Sequence, residues 1–415
     1  MFYIITVLFL GCYFFCYKRK VKILSMMLCV FTILFLYEIF GAFLFTFTPE
    51  FYFNLWLFFF GILYFSCWFL SFYWMLSFGI FGVIIHSIFM SLLSFAKIAL
   101  PLHPLILMYP GYHDHLPTFN YTFINLFIIF FIVSLLFCKS NWYLKCFFIL
   151  LILSLPVFFK NVSTSENHNM KIAIVQVGLY YEKGGNTSDF FYDLQSFLKQ
   201  NPGVDAVIFS ENNLYSYKTR YNEKLTEILL RNIHDSKLNE QYHLFLSFGG
   251  FRDINNIVTY YHHDDIIQIN QKKVLIPFVE KSDFLNRKVP MYSEYYYLHD
   301  HIKNMNISLA DYSVATNICY DALFPELFSI NSDIVIIQSN YKLLDKGYGH
   351  DKLKKYATYL SKFINGINSR FIINVQNYGG TVVLANNWSI DYKTFEYSKS
   401  EPFLIVNLSG KDTRN

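Results

Sequence analysis

The spacing of apolar residues divides the chain into two segments of different character. Residues 1–160 consist largely of Phe, Leu and Ile with few charges, whereas residues 170–415 carry charged and amide side chains throughout. The stretch between them, residues 160–169, is polar and has the composition of a linker. We therefore predict two domains, at residues 1–160 and 170–410, in a chain long enough for both.

The first segment has the apolar lengths expected of membrane-spanning helices. A bilayer core requires about 20 consecutive apolar residues in a helix. Residues 51–100 are long enough for two spans, and the short run at 2–16 fits a tight first span. The pattern predicts a helical transmembrane bundle of five or six spans, the others at residues 24–47, 118–138 and 143–159.

Basic residues in short loops predict the orientation of these spans. Loops rich in Lys and Arg remain on the cytoplasmic side of a membrane. One such cluster follows the first apolar run and another flanks the last span, at Lys18, Arg19, Lys20 and Lys22 and at Lys139 and Lys145. With both clusters in the cytoplasm, the second segment emerges on the outer side.

The second segment alternates short β-type apolar runs with helical patterns. Helical spacing is present at residues 190–198 and 353–363. Strands alternating with helices predict a layered α/β domain, in which reactive groups gather where strands end. The predicted strands are residues 171–177, 204–209, 243–248, 256–261, 266–269, 312–318, 333–338, 371–375 and 381–384.

Composition and cysteine placement exclude several classes of function. The net charge is +4 and no basic stripe is present, which argues against a nucleic-acid partner. Of seven cysteines, Cys319 alone lies in the second segment, and no CxxC pair supports a zinc or thioredoxin-type site. The His-containing stretches at 101–117 and 262–265 are interpreted as a Pro-rich loop and a hairpin turn, so no metal site is predicted.

Three predicted strand ends carry reactive side chains: Glu211, Lys272 and Cys319. A thiol attacks as its thiolate and needs a base or a cation nearby. A carboxylate can accept the proton, and a lysine can stabilise the oxyanion of a tetrahedral intermediate. Each residue also has an ordinary explanation, as a buried packing thiol or a solvated turn residue, and spacing does not decide between them.

The sequence motifs around these residues resemble those of the carbon–nitrogen hydrolase (nitrilase) superfamily. Within that superfamily the resemblance is to the apolipoprotein N-acyltransferases, in which membrane spans precede a nitrilase domain. The resemblance covers residues 170–408. It is most specific at 272–280 (KKVLIPFVE) and 319–326 (CYDALFPE), and it extends to segments 171–176, 208–211 and 374–381. The chain departs from the family's pattern at Ser210 in place of Pro, at Asp321 in place of Glu, at Val279 in place of Gly, and at 339–343 (SNYKL) in place of N-D-x-W-F.

The resemblance implies an αββα nitrilase-like sandwich on a transmembrane bundle in a bacterial inner membrane, with the catalytic domain on the periplasmic side. The implied reaction moves a fatty acyl chain from a phospholipid to the N-terminal, lipid-modified cysteine of an apolipoprotein. Glu211 would be the general base, Cys319 the nucleophile and Lys272 the oxyanion cation. Glu280 and the backbone N–H of Tyr320 would support them. The implied protein is a monomer that needs no cofactor or metal.

Two alternatives remain open at this point. One is a nitrilase-like membrane amidase or acyltransferase with another substrate, related to proteins of conjugal transfer. The other is a non-catalytic envelope scaffold. The aromatic stretch 281–310 predicts a long loop, which is either packed on its own domain or a mobile lid at the membrane interface.

Overall fold

The computed structural model describes residues 78–96, 119–138, 141–159, 169–252, 254–277, 279–281, 307–309, 311–326, 332–342 and 351–409, with single positions between 55 and 75. Outside these residues lie the predicted spans at 2–16 and 24–47, the loop at 101–117, most of the linker, and nearly all of the aromatic stretch 281–310.

The chain forms two compact units. The first unit is Met1–Ser163, Leu323–Asn331 and Asp345–Asn368, and the second unit is Thr164–Ala322, Ser332–Leu344 and Ser369–Asn415. Two segments from the later part of the chain thus join the N-terminal segment. The predicted boundaries at residues 160 and 170 stay a prediction.

In the first unit, the described helices near the N-terminus are apolar on all sides. They are α1 (Gly79–Ser94), α2 (Thr122–Phe137) and α3 (Trp142–Phe159). Large apolar side chains project outward from them, with Phe81 exposed at 73% and Leu150 at 66%. Within the described part of the chain, no helix combines the length and apolarity needed to cross a bilayer.

The second unit contains two mixed β-sheets. The elements that follow α3 in chain order are β1 (Met170–Val175), α4 (Val177–Glu182), α5 (Phe190–Gln200), β2 (Ala206–Phe209), α6 (Arg220–Asp235), α7 (Leu238–Gln241), β3 (His243–Phe251), β4 (Ile254–His263), β5 (Ile266–Gln271), β6 (Ile307–Leu309), β7 (Tyr312–Ile318), β8 (Ile334–Ser339), α8 (Lys352–Ile364, in the first unit), β9 (Phe371–Gln376), β10 (Val382–Ala385), α9 (Tyr392–Tyr397) and β11 (Phe403–Leu408).

Strand direction brings the reactive strand ends to common edges. The first sheet has the order β11-β1-β2-β3-β4-β5 and the second β10-β9-β8-β7-β6. Strands β1, β2 and β3 are parallel, while β4 is antiparallel to both β3 and β5. Strand β5 therefore runs in the direction of β2, so Glu211 and Lys272 follow strands that end at the same edge. In the second sheet, β7, β8 and β9 are parallel, and Cys319 follows β7.

The two sheets share one apolar core, and helices cover the other face of the first sheet. The shared core combines residues such as Ile208 and Phe245 with Ile336 and Ile373 of the second sheet. Polar groups also join the sheets, because Gln338 Nε2 donates to the backbone oxygen of Phe209 at 2.7 Å. On the opposite face, α5 and α6 bury apolar side chains against the first sheet, including Phe190, Leu194, Leu229 and Ile233. The second unit is therefore an α/β sandwich, as predicted.

All nine predicted strands are present with shifts of a few residues at their ends. The predicted hairpin at 262–265 is confirmed, because β4 ends at His263, β5 begins at Ile266, and Asp264 between them has a left-handed φ of 49°. The predicted helices at 190–198 and 353–363 correspond to α5 and α8. Strands β6 and β11 and helices α4, α6, α7 and α9 were not predicted.

Candidate active site

A buried cluster of one lysine and two glutamates lies where β2 and β5 end. Lys272 Nζ donates to Glu211 Oε1 at 3.1 Å and to Glu280 Oε1 at 2.6 Å. The side chains are 0%, 5% and 11% exposed, respectively. Glu280 returns to Lys272 because a tight turn follows β5, in which the Ile276 N–H donates to Glu280 Oε2 at 2.8 Å. The structure thus brings together Glu211, Lys272 and Glu280, three of the predicted site residues, whose catalytic roles stay a prediction.

Cys319 begins a short 3-10 turn at the end of β7. Its φ of 48° is left-handed, a conformation that costs a residue other than glycine roughly 1–2 kcal/mol. Strain of this kind persists where the surrounding structure holds it, and it concentrates at functional sites. The Cys319 side chain is buried and its thiol interacts with the Glu211 carboxylate. The fourth predicted residue therefore joins the cluster.

Asp321 holds the cysteine turn against the lysine segment. Its Oδ1 accepts a hydrogen bond from the Ile318 N–H at 2.7 Å, and its Oδ2 accepts one from the Lys273 N–H at 3.1 Å. Burial raises the pKa of Asp321 to about 6, although Lys272 and these amides favour its charged form. Asp321, which is shorter than the Glu of the motif that this segment resembles, therefore links the residues before Cys319 and after Lys272.

The environment of the site raises the pKa of both Cys319 and Glu211. Cys319 is therefore held as a thiol, and Glu211 is a stronger base than an ordinary glutamate. Burial, and then the Glu211 carboxylate, raise the pKa of Cys319 well above its usual range. Burial also raises the pKa of Glu211, although Lys272 and the Cys319 thiol oppose this shift. Glu211 Oε2 is buried and no described amide, amine or hydroxyl donates to it. A thiol beside a carboxylate of raised pKa is arranged for proton transfer during attack.

Lys272 remains a cation despite complete burial. Burial alone would lower its pKa, but the carboxylates of Glu211 and Glu280 outweigh that effect, and the pKa lies well above its usual range. A fixed ammonium beside the thiol can stabilise negative charge that develops during a reaction. Among the described residues, no group of three or more His, Cys, Asp and Glu side chains could hold a metal ion.

Two further residues of the site were not predicted from the sequence. The backbone N–H of Asn340, after β8, donates to Cys319 and lowers the pKa of its thiol. Ser210 Oγ donates to Asn377 Oδ1 at 2.8 Å and accepts from the Val177 N–H at 3.2 Å. Ser210, which stands in place of the Pro of the motif that this segment resembles, thereby joins the ends of β1, β2 and β9. Tyr320 is buried next to Cys319, and the donor role of its backbone N–H stays a prediction.

A cavity of about 400 Å³ lies beside this cluster, and both polar and apolar groups form its walls. It adjoins the cluster because Asn212 follows Glu211 in the chain and Asn340 contacts Cys319. Its lining residues come from α4 and from the segments that follow β2, β8 and β9: Val177, Gly178, Tyr181, Glu182, Asn212, Asn213, Leu214, Asn340, Lys342, Asn377 and Tyr378.

No family model and no curated protein matches the chain. Several solved structures are similar to it at low identity. Nit3 of Saccharomyces cerevisiae, a nitrilase superfamily member, is 13% identical with a TM-score of 0.39 over 58% of this chain and 90% of that one. A carbon–nitrogen hydrolase of Helicobacter pylori G27 is 14% identical with a TM-score of 0.38, over 58% and 89%. An amidase of Nesterenkonia sp. is 12% identical with a TM-score of 0.35, over 61% and 97%. Likenesses at this level establish neither family membership nor function.

Proposed function

We propose that the second unit is an acyl-transfer enzyme in which Cys319 forms a thioester with its substrate. The observation that carries the proposal is the buried contact of Lys272 with Glu211 at 3.1 Å and Glu280 at 2.6 Å, next to the thiol of Cys319. These groups supply a nucleophile, a base and an oxyanion cation in one place.

In the first half-reaction, Cys319 Sγ attacks the carbonyl carbon of the acyl donor as its proton passes to Glu211. The ammonium of Lys272 stabilises the negative charge on the carbonyl oxygen. The intermediate then breaks the bond to the leaving group, which takes the proton from Glu211. The products are an acyl-thioester on Cys319 and a neutral leaving group, and Glu211 is again a carboxylate.

In the second half-reaction, a neutral amine of the acceptor attacks the thioester carbonyl and loses a proton to Glu211. Lys272 again stabilises the oxyanion. The carbon–sulfur bond breaks, and the thiolate of Cys319 recovers the proton from Glu211. Glu280 holds Lys272 in position throughout, because one of its oxygens binds Nζ while the other accepts the Ile276 N–H.

The cost of burying this cluster argues against a purely structural role. Removing charges from water costs several kcal/mol per ion, and well-packed apolar residues often replace buried ion pairs without loss of stability. A scaffold would gain little from a cysteine in a left-handed conformation beside three buried charged groups. We therefore prefer catalysis to the scaffold alternative.

For the substrates, we propose transfer of a fatty acyl chain from a phospholipid to the N-terminal amine of a lipid-modified cysteine on an apolipoprotein. The reaction would take place at the periplasmic face of a bacterial inner membrane. Support comes from the resemblance of the motifs around Lys272 and Cys319, and from the apolar composition of residues 1–160. The exposed apolar side chains of α1 and α3 also suit a lipid environment.

The polar side chains that line the cavity favour a second candidate, hydrolysis of a small polar amide. Its walls carry four asparagines, one lysine and one glutamate, which suit an amide or amine better than an acyl chain. In that reaction, water replaces the acceptor amine in the second half-reaction, and a free carboxylic acid leaves.

Product analysis separates the two candidates. The full-length protein in detergent micelles is incubated with a phospholipid whose acyl chains are isotopically labelled and with a peptide bearing an N-terminal diacylglyceryl cysteine. We expect labelled N-acyl peptide, and labelled free acid instead would favour hydrolysis. Cys319→Ala should abolish the product, whereas Cys138→Ala, which removes another buried cysteine, should retain it. Product formed at the wild-type rate by Cys319→Ala would overturn the proposal.

Reporter fusions test the proposed location. A reporter joined after Lys160 should be active outside the cytoplasm, and one joined after Lys20 or Lys139 should be active inside. A cytoplasmic signal from the Lys160 fusion would rule out the periplasmic acceptor, while leaving the chemistry at Cys319 to be judged by the product assay.

A further inference from the structure

Lys342 lies at the cavity beside Cys319, in a setting that accepts positive charge. Its Nζ is 3.1 Å from Glu182 Oε1 and 3.7 Å from the centroid of the Tyr378 ring. A carboxylate and an aromatic face together attract an ammonium group, the first by charge and the second through the ring quadrupole. Lys342 therefore occupies a small ammonium site built from the end of α4 and the residue after Asn377.

A second residue that lines the cavity carries a buried hydrogen-bond acceptor. Asn340 Oδ1 is buried and has no hydrogen-bond partner among the described residues. A buried acceptor without a partner has lost its solvation without compensation, so a ligand that donates to it gains affinity. The backbone N–H of the same residue contacts Cys319, so a group bound at Asn340 Oδ1 would lie near the nucleophile.

The shape of the site depends on a glycine. A Cβ atom at Gly178 would lie 2.6 Å from the Tyr378 ring and 2.8 Å from Asn377 Nδ2. Any larger residue at this position would displace the ring on which Lys342 rests. The cavity wall thus has space for the aromatic face because position 178 lacks a side chain.

The contact between Lys342 and Glu182 can be exchanged at low cost. Their side chains are 42% and 51% exposed, and ion pairs this accessible contribute little to stability because water screens the two charges. The ammonium of Lys342 can therefore leave the site when a second ammonium competes for it. An anion is a poorer fit, because Glu182 and Asn340 Oδ1 both present acceptor oxygens.

We propose that Lys342 fills a site for a primary ammonium group, and that a substrate carrying such a group displaces it and binds between Glu182 and Tyr378. The inference deepens the proposed function, on which it rests, by assigning the amine-bearing partner of the reaction to this cavity. The lysine lies within the stretch 339–343 that departs from the family's Trp-containing motif. It would act as an internal competitor that excludes substrates without an ammonium group.

Protection of Cys319 from alkylation measures this binding without turnover. The full-length protein in micelles reacts with iodoacetamide in the presence of n-butylamine, n-butanol or butyrate, and peptide mass spectrometry follows labelling of Cys319. We expect n-butylamine to protect best. Lys342→Met should lower its half-protective concentration about fivefold, the factor corresponding to about 1 kcal/mol. Glu182→Gln should raise that concentration by a similar factor.

A matched control is available at a second lysine–glutamate pair of the second unit. Lys399 Nζ is 2.8 Å from Glu396 Oε2 and 4.7 Å from the Phe395 ring centroid, which is the same chemistry at residues that do not line the cavity. Glu396→Gln should therefore leave protection unchanged. Saturation-transfer NMR of the n-butylamine methyl protons, with the same variants, measures binding if the buried thiol resists alkylation.

Equal protection by n-butanol would overturn the proposal, as would weaker protection by n-butylamine in Lys342→Met. Stronger protection by butyrate than by n-butylamine would identify an anion site instead. Failure of the proposed function is distinguishable from these outcomes, because a protein that binds n-butylamine through Glu182 but forms no thioester would retain this site and lose acyl transfer.

Discussion

Two lysine–carboxylate contacts in the second unit consist of the same chemical groups but differ in burial. Lys272 lies between Glu211 and Glu280 with its side chain fully buried, whereas Lys342 meets Glu182 with both side chains substantially exposed. The distances overlap, since Lys272–Glu211 and Lys342–Glu182 are both 3.1 Å. Burial, and not contact distance, therefore distinguishes them. In the proposed function the buried cluster holds charge where the reaction needs it, and in the further proposal the exposed pair exchanges its partner.

The comparison also concerns how each lysine is held. Lys272 follows a strand directly, and Glu280 beside it is fixed by the Ile276 N–H. Lys342 lies beyond the end of β8, in contact with a glutamate at the end of a short helix. The first arrangement is rigid and the second can open. Substitutions should consequently have large effects at the first site and small effects at the second.

The largest effect is expected for Lys272→Met. It leaves two buried carboxylates without their cation, and loss of one partner of a buried ion pair typically costs 3–5 kcal/mol of unfolding free energy. Acyl transfer should fall by about 10²–10³-fold through loss of the oxyanion cation. Urea denaturation and the product assay measure the two effects. A change in unfolding free energy below about 1 kcal/mol would contradict the comparison, because the buried lysine would then contribute no more than the exposed Lys342.

The next effect concerns Glu211→Gln. The amide can still accept from Lys272 but cannot take the thiol proton, so thioester formation should slow by about 10²–10⁴-fold while the fold is retained. In the wild type the rate should rise with pH as Glu211 ionises. Because burial raises the pKa of Glu211, the midpoint should lie above pH 4.5, the ordinary value for glutamate. A rate that is independent of pH, or an unchanged rate in Glu211→Gln, would exclude Glu211 as the base.

A smaller effect is expected from Asp321, which should change how the unfolding free energy depends on pH. Its pKa is about 6 in the folded protein against 3.8 ordinarily, so the folded state binds more protons between these values. The unfolding free energy should therefore decrease as pH rises through this window, by up to about 3 kcal/mol. Asp321→Asn should remove that decrease, and urea unfolding at several pH values measures it. An identical pH profile in the variant would contradict the assignment.

The smallest effect is expected for Lys342→Met. An accessible ion pair contributes about 0.2–1 kcal/mol, so the unfolding free energy should change by no more than this. Double substitution with Glu182→Gln should give a similar value, because each residue loses the same partner. Thermal denaturation of the single and double variants measures the difference. A loss comparable with that of Lys272→Met would show that the exposed pair is structural.

The strands were predictable because their apolar runs are short and bounded by polar residues. Strand β11 was missed although Leu404, Val406 and Leu408 alternate with less buried positions, a period-two pattern that was available in the sequence. Strand β6 has three residues, too few for a periodicity. Helix α6 buries only Thr226, Leu229 and Ile233 and is otherwise polar, so its apolar face is narrow. Its N-cap, Thr219 accepting the Asn222 N–H, was a further signal.

The sequence allowed the side chains of the candidate site to be predicted, but not its backbone contacts. Sequence motifs identified Glu211, Lys272, Glu280 and Cys319 as candidates. The strand order of the structure was needed to show that β2 and β5 end at the same edge of the sheet. Every residue other than proline has a backbone N–H, so the sequence does not show which one contacts the thiol. The contact of the Asn340 N–H with Cys319 could therefore not be predicted. The departure from the Trp-containing motif marked the region of Lys342, and the role of that lysine follows from its contacts with Glu182 and Tyr378.

The most direct test of the central claim is the intact mass of the purified protein after incubation with phospholipid in the absence of an acceptor. The account predicts an increase equal to one acyl chain, located at Cys319 by peptide mapping, removed by hydroxylamine and absent from Cys319→Ala. An adduct that persists in Cys319→Ala, or the absence of any adduct from a protein that still produces N-acyl peptide, would contradict thioester catalysis at Cys319.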